Sequence, residues 1–238
     1  MKLIKVKTYE AMSELASNTI LAKMNVEQRV NCALTAGKTP EKTYELVIDR
    51  MKNNSNIENF HVYTFDGSPL EHTERTTTYL EVAKMFYEPA NIQEDHIHEM
   101  TMENYSIFDQ QIEDAGGLDL MLLGLGSDGH FCGNMPLVTK FESLSYEAKI
   151  TEEYPWYGVF ADIYKAYDQS IANSFVTMGP LSVLKAKEVL LIVSGASKAE
   201  ALDRLLNGPI TEEFPASVLR LHSNITVIAD EDALQLID

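Results

Sequence analysis

The chain has 238 residues, 45% of them apolar and 23% charged, so it can build a core of ordinary size without a metal or disulfide staple. Nineteen Lys and Arg against thirty-six Asp and Glu leave a net charge of −17. That field repels nucleic acid and anionic membranes, and it admits an anionic metabolite only at a locally positive pocket. Two cysteines, Cys32 and Cys132, make neither a disulfide framework nor a structural zinc site, and read as small core hydrophobes of a cytoplasmic protein. The longest apolar runs fall far short of the roughly 18 residues of a membrane span, and the first residues lack a signal-peptide core.

Met1 to Lys7 alternates like a short strand. Met12, Leu15, Ala16, Thr19 and Ile20 then keep the spacing of a helix with one buried face. A strand over Val30–Leu34 precedes a helix with Thr39 as cap, Pro40 at its first position, and Tyr44, Leu46 and Val47 beyond. Further strands are predicted over Phe60–Phe65, Leu118–Gly124, Phe175–Met178, Glu188–Val193 and Ile225–Ala229. His96 and His98 lack other ligands at metal spacing and read as surface residues. Leu137 to Asp168 is less regular, and 152–158 reads as a long loop packed by Tyr154, Trp156 and Tyr157. Ser197-Lys198-Ala199-Glu200 has capping-box spacing and opens a helix through Leu205 and Leu206, ended by Asn207-Gly208-Pro209. Strands alternating with helices predict one α/β domain over 1–238, a doubly wound, mainly parallel, Rossmann-like sheet with helices on both faces.

Ligands of such sheets bind at the carboxyl ends of the strands, and four predicted ends carry chemistry here. Leu34-Thr35-Ala36-Gly37-Lys38-Thr39-Pro40 brings free N–H groups, a helix N-terminus and a lysine to one spot, as an anion site needs. Leu123-Gly124-Leu125-Gly126-Ser127-Asp128-Gly129-His130 ends a buried strand, with a carboxylate two residues from an imidazole whose orientation and tautomer it can hold. Val62-Tyr63-Thr64-Phe65-Asp66 places a carboxylate directly after a strand, where turn former and acid–base group are both open readings. Val193-Ser194-Gly195-Ala196-Ser197-Lys198 puts a cation at a helix start, which an anion between lysine and dipole would stabilise.

In this order the motifs resemble the superfamily of glucosamine-6-phosphate deaminases/isomerases and 6-phosphogluconolactonases, nearer the glucosamine/galactosamine-6-phosphate isomerase branch. Gly37-Lys38-Thr39-Pro40, Asp66, the Asp128-Gly129-His130 segment, Gly195–Leu202, Pro215–His222 and Val227–Glu231 carry the likeness. The resemblance implies a phosphorylated sugar as substrate, no cofactor or metal, and a monomer or small homo-oligomer. Gly37, Lys38, Thr39 and Lys198 would hold the phosphate. Asp66 would move a proton between C2 and C1, and His130, oriented by Asp128, would open the sugar ring. The implied activity is isomerisation of a hexosamine 6-phosphate with possible ammonia release. Beside it stand a 6-phosphogluconolactonase-type hydrolase using His130, and a catalytically weakened sugar-phosphate binder. The last is motivated by Gly67 and Met135, which replace two carboxylates of the deaminase pattern. Glutamate at 135 is expected to raise turnover, and Lys165 is the candidate counterpart of the family's active-site arginine.

Overall fold

The computed structural model describes residues 1–51 and 57–237. Its elements run in the order β1 (Lys2–Val6), α1 (Tyr9–Met24), β2 (Val30–Ala33), α2 (Glu41–Met51), β3 (Phe60–Tyr63), β4 (Asp66–Gly67) and α3 (Thr77–Val82). Then follow β5 (Ile97–His98), α4 (Tyr105–Asp114), β6 (Leu120–Leu123), β7 (Tyr146–Lys149), α5 (Tyr157–Ala166), β8 (Ser174–Thr177) and α6 (Pro180–Leu184). The chain closes with β9 (Val189–Val193), α7 (Ala199–Asn207) and β10 (Ile225–Asp230). Seven strands form a sheet in the order β1-β10-β9-β6-β2-β3-β5, and every pairing in it is parallel. The α/β class expected from strand–helix alternation is therefore the one found.

Why the central strands read as unbroken apolar runs is visible in β6. Leu120 and Leu122 point into a cluster with Met12, Ala16 and Ile20 of α1 and Tyr44 and Val47 of α2. Met121 and Leu123 point the other way, against Phe108 and Ile112 of α4 and Leu202 and Leu205 of α7. Each buried side chain contributes roughly 1.5–3 kcal/mol, so a strand covered on both faces has no position at which a polar residue is cheap.

Several local expectations shift. The face that α1 buries runs through Met12, Ser13, Ala16, Ser17, Ile20 and Met24, and Leu15 is exposed. The helix after β2 starts at Glu41, and its first intrahelical bond runs from the Tyr44 N–H to the Pro40 carbonyl, so Thr39 belongs to the preceding turn. Ser197 caps nothing: a 3₁₀ turn over Ala196–Lys198 leads into α7, whose capping residue is Lys198. The run Phe175–Met178 does form a strand, but β8 joins a separate sheet, β4-β8-β7, that is antiparallel throughout. The stretch 152–158 is not wholly a loop, because α5 begins at Tyr157. Trp156 does pack there, stacked on Tyr154 with ring centroids 4.6 Å apart and donating from Nε1 to the Pro136 carbonyl at 2.9 Å. Cys32 is core, whereas Cys132 borders the cleft described below.

Candidate active site

From β2 the chain steps outward through β3 to β5, then returns to β6 beside β2 and steps the other way through β9 to β10. Connections leaving the carboxyl ends of β2 and β6 therefore diverge, and divergence opens a crevice. A cleft of about 310 Å³ lies there, lined by Gly37, Lys38 and Thr39 after β2, Asp66 after β3, His130 after β6 and Lys198 after β9. The remaining candidate, Asp128, reaches the cleft through His130. All seven residues singled out in the sequence thus converge on one place.

Asp66 is the first residue of β4, and pairing with Thr177 of β8 fixes its backbone. Its Oδ1 accepts from the Thr78 hydroxyl at 2.6 Å, the threonine projecting from the first turn of α3. Burial pushes the Asp66 carboxyl up to about 6, against the pull of the Thr78 bond and of His130 and with a further push from Glu81. A carboxyl so tuned exchanges protons near neutral pH.

Asp128 and His130 close a tight turn. The Gly129 N–H donates to the Gly126 carbonyl at 3.0 Å, and the Gly126 N–H to the His130 carbonyl at 2.8 Å. Asp128 Oδ1 lies 2.6 Å from His130 Nδ1 and accepts from the His130 backbone N–H at 3.1 Å. Burial raises the Asp128 carboxyl, but these bonds and the imidazole's charge outweigh it and the net shift is downward. An ionised carboxylate only accepts, so Nδ1 carries the proton, and in the neutral ring Nε2 is the acceptor. The turn depends on a glycine at 126: a Cβ there would stand 2.3 Å from His130 Nδ1 and 2.6 Å from Asp128 Oδ1.

The cations flank the cleft from two sides. Lys198 Nζ donates to the Ser127 hydroxyl at 3.2 Å, and burial lowers its proton affinity while Asp128 raises it. Its loop is tied down by Asp230, which accepts from the Ser194 hydroxyl and from the Gly195 N–H at 3.0 Å. Opposite it, Gly37, Lys38 and Thr39 form the turn before α2. A third wall is apolar, made by Met135, Phe175 and Val159, Phe160 and Ile163 of α5.

Sequence reasoning missed Thr78, Asp230 and Glu81, whose partners lie 12, 35 or 36, and 44 residues away. No local spacing signals such pairs. Lys165 is exposed on α5 and is not among the residues lining the cleft, so it does not supply the missing arginine. Gly67 packs tightly, since a Cβ there would come 2.7 Å from Thr76 Cγ2 and 2.9 Å from the Met100 carbonyl. His96 and His98 are half-buried rather than superficial, gathered around His61. Among the described residues no group of three His, Cys, Asp or Glu is placed to hold a metal ion, and no helix is long and apolar enough to cross a membrane.

Comparison with known proteins agrees with this geometry. Residues 5–228 match the model of the family glucosamine-6-phosphate isomerases/6-phosphogluconolactonase. A glucosamine-6-phosphate deaminase of Shouchella clausii is 33% identical, with 98% of this chain and 96% of that protein aligned. One of Oceanobacillus iheyensis is 32% identical, over 99% and 96%. A solved structure described as a monomeric glucosamine-6-phosphate deaminase superposes with a TM-score of 0.87 at 28% identity, covering 99% of this chain and all of that one. The 6-phosphogluconolactonase of Trypanosoma brucei shares the fold, with a TM-score of 0.74 at 16% identity over 100% of this chain and 98% of that one. The cleft at the sheet's switch point, the motifs around it and the match over nearly the whole length place this chain in the family of glucosamine-6-phosphate isomerases and 6-phosphogluconolactonases.

Proposed function

We propose that the cleft isomerises a hexosamine 6-phosphate to the ketose and releases its amine as ammonia. The chain would work as one domain over 1–238, in the cytoplasm, as a monomer or small homo-oligomer, without cofactor or metal. Gly37, Lys38, Thr39 and Lys198 hold the phosphate between two positive loops. His130 Nε2 accepts the anomeric hydroxyl proton and returns it to the ring oxygen, which opens the sugar. Asp66 then takes the proton from C2 and delivers it to C1. Water adds to the resulting C2 imine, and the amine departs as ammonia.

The observation that carries this reading is Asp66, a carboxylate raised to about 6 on the same cleft as an Asp-held histidine. Lactone hydrolysis needs a base for water but no second group for a carbon-bound proton, so Asp66 favours the isomerase. Relatives of 33% and 32% identity that are named deaminases support the same choice.

The test is a substrate panel of glucosamine, galactosamine and N-acetylated 6-phosphates with 6-phosphogluconolactone, scored for ammonia, ketose and acid. Ammonia and ketose are expected. Asp66→Asn should slow solvent-deuterium exchange at C2 by about 10²–10⁴, the usual worth of a general base. Because the working form is the ionised one, kcat/KM should fall as pH drops below about 6. Acid from the lactone alone would make the chain a hydrolase, and tight binding without any product would make it a binder.

A further inference from the structure

One amide of the turn proposed to meet the phosphate already has a partner. Gly37 N–H, in the turn before α2, donates to Glu81 Oε2 at 3.3 Å. Glu81 stands on α3 one turn after Thr78, so both side chains share the helix face that lines the cleft. Gly37 and Glu81 both stand exposed at the rim of the cleft, so water screens part of the cost, but two anions competing for one N–H still repel each other.

The groups around Glu81 do not relieve that conflict. Glu41 faces it from α2, Asp66 from the start of β4, and Tyr167 from beyond α5. Lys38 follows Gly37 in the turn and, like Glu81, is exposed. Among the described residues no Lys or Arg forms an ion pair with Glu81. Burial pushes its carboxyl up, the Gly37 N–H draws it back, and Glu41 adds to the rise. Protonation would turn the carboxylate from a competitor into a donor, its O–H free to meet a phosphate oxygen while the Gly37 N–H meets another.

We propose that Glu81 is a specificity-determining residue that competes with phosphate for the Gly37 amide, so that a sugar phosphate binds with uptake of a proton by Glu81. This inference rests on the sugar-phosphate reading of the cleft. It implies that the site discriminates against fully ionised phosphoryl groups as pH rises, although a dianion ordinarily gains from charge.

Calorimetric titration of the intact protein with fructose 6-phosphate, the ketose product, in ammonium-free buffer tests it, with two buffers of different ionisation enthalpy, between pH 7 and 8.5. Above pH 7 the phosphate's own ionisation, near pH 6, is almost complete and no longer interferes. Lys198 also gains proton affinity when an anion binds, but it does so in wild type and variant alike, so their difference reads Glu81. Wild-type affinity should fall with pH, by up to about tenfold per unit for one linked proton, and the heats should report proton uptake. Glu81→Gln should bind up to about fivefold more tightly at pH 8, the size of a solvent-screened like-charge penalty removed, with less proton uptake. Glu81→Ala, checked by thermal melting for an intact fold, should show the same loss of linkage. Equal affinity and equal proton uptake in wild type and both variants would overturn the role of Glu81. Binding by none of the three forms would overturn the sugar-phosphate reading itself, and the inference with it.

Discussion

A methionine at 135 and a glycine at 67 stand, on the resemblance drawn from the sequence, in place of two carboxylates, and their surroundings explain why neither is a simple gap to refill. Met135 is 2% exposed, packed with Trp156, Phe160, Tyr164 and Phe175 in a small cluster between the second sheet and α5. From sequence, Met135→Glu was expected to restore a charge beside His130. In the structure it would place a carboxylate against aromatic rings, where an unpaired buried charge costs about 3–5 kcal/mol. The expected outcome is therefore a drop in Tm of several degrees, deepening as pH rises and the carboxyl must ionise, with no gain in turnover. Thermal melts at pH 5 and 8 with parallel ammonia assays check this, and a faster, equally stable variant would show that the carboxylate turns from the aromatic cluster into the cleft that Met135 also borders. Gly67 is barred more simply, since Thr76 and the Met100 carbonyl occupy the space a side chain needs. On the proposed reading, the chemistry of this cleft runs on Asp66, Asp128 and His130.

Elements at the sheet's edge carry a second titrating group. Strands β3 and β5 bring His61 Nδ1 within 3.1 Å of His98 Nε2, and Arg29 Nη2 lies 3.3 Å from that same nitrogen. His96 stacks on His61 with centroids 4.3 Å apart, and Tyr63 on His98 at the same distance. With Arg29 always charged, His98 Nε2 accepts, which keeps the ring neutral. Burial, then Arg29, His96 and His98, lower His61 to about 4 against a weak opposing pull from Asp95. His98 is lowered by burial, Arg29 and His96. A histidine depressed in the folded state binds fewer protons than in the unfolded chain. Its contribution is present above about 6.5 and is lost as pH falls towards 4. Tm should accordingly drop by a few degrees on the order expected for a chain this long between pH 6.5 and 5, where most carboxylates are still ionised, and His61→Asn should flatten that slope. An unchanged slope would mean that solvent screens these partly exposed rings from one another.

At the scale of the molecule the excess of 17 negative charges opposes compaction. Ion pairs act the other way, as where Arg75 meets Glu94 and Glu99 or Lys23 meets Glu188 at 2.8 Å. Exposed pairs are worth only about 0–1 kcal/mol each, whereas the repulsion is shared by every acidic residue on the surface. Raising salt shortens the Debye length to about 10 Å at 0.1 M and screens both, so repulsion should lose more. Melting followed at about 20 and 300 mM NaCl should show Tm rising with salt, and a fall would mean that the ion pairs dominate.

Local chemistry was legible in the residues themselves. The apolar runs of β2, β6, β9 and β10 demanded burial on both faces, and Gly126, Asp128 and His130 could close their turn with no outside help. The turn at Gly37 and the lysine at 198 also drew notice through charge and backbone N–H groups, and both line the cleft. What sequence could not decide is whatever depends on partners distant along the chain. Thr78 meets Asp66 across 12 residues, Asp230 holds the Gly195 loop across 35, and Glu81 takes the Gly37 amide across 44. The strand at Ser174–Thr177 had the apolar pattern of a central strand, yet its neighbours are β4 and β7. Periodicity reports which side chains must be buried and says nothing of which strand lies alongside. The cleft arises because β2 and β6 are adjacent although 88 residues separate Cys32 from its partner Leu120, and only the folded sheet brings those two carboxyl ends together.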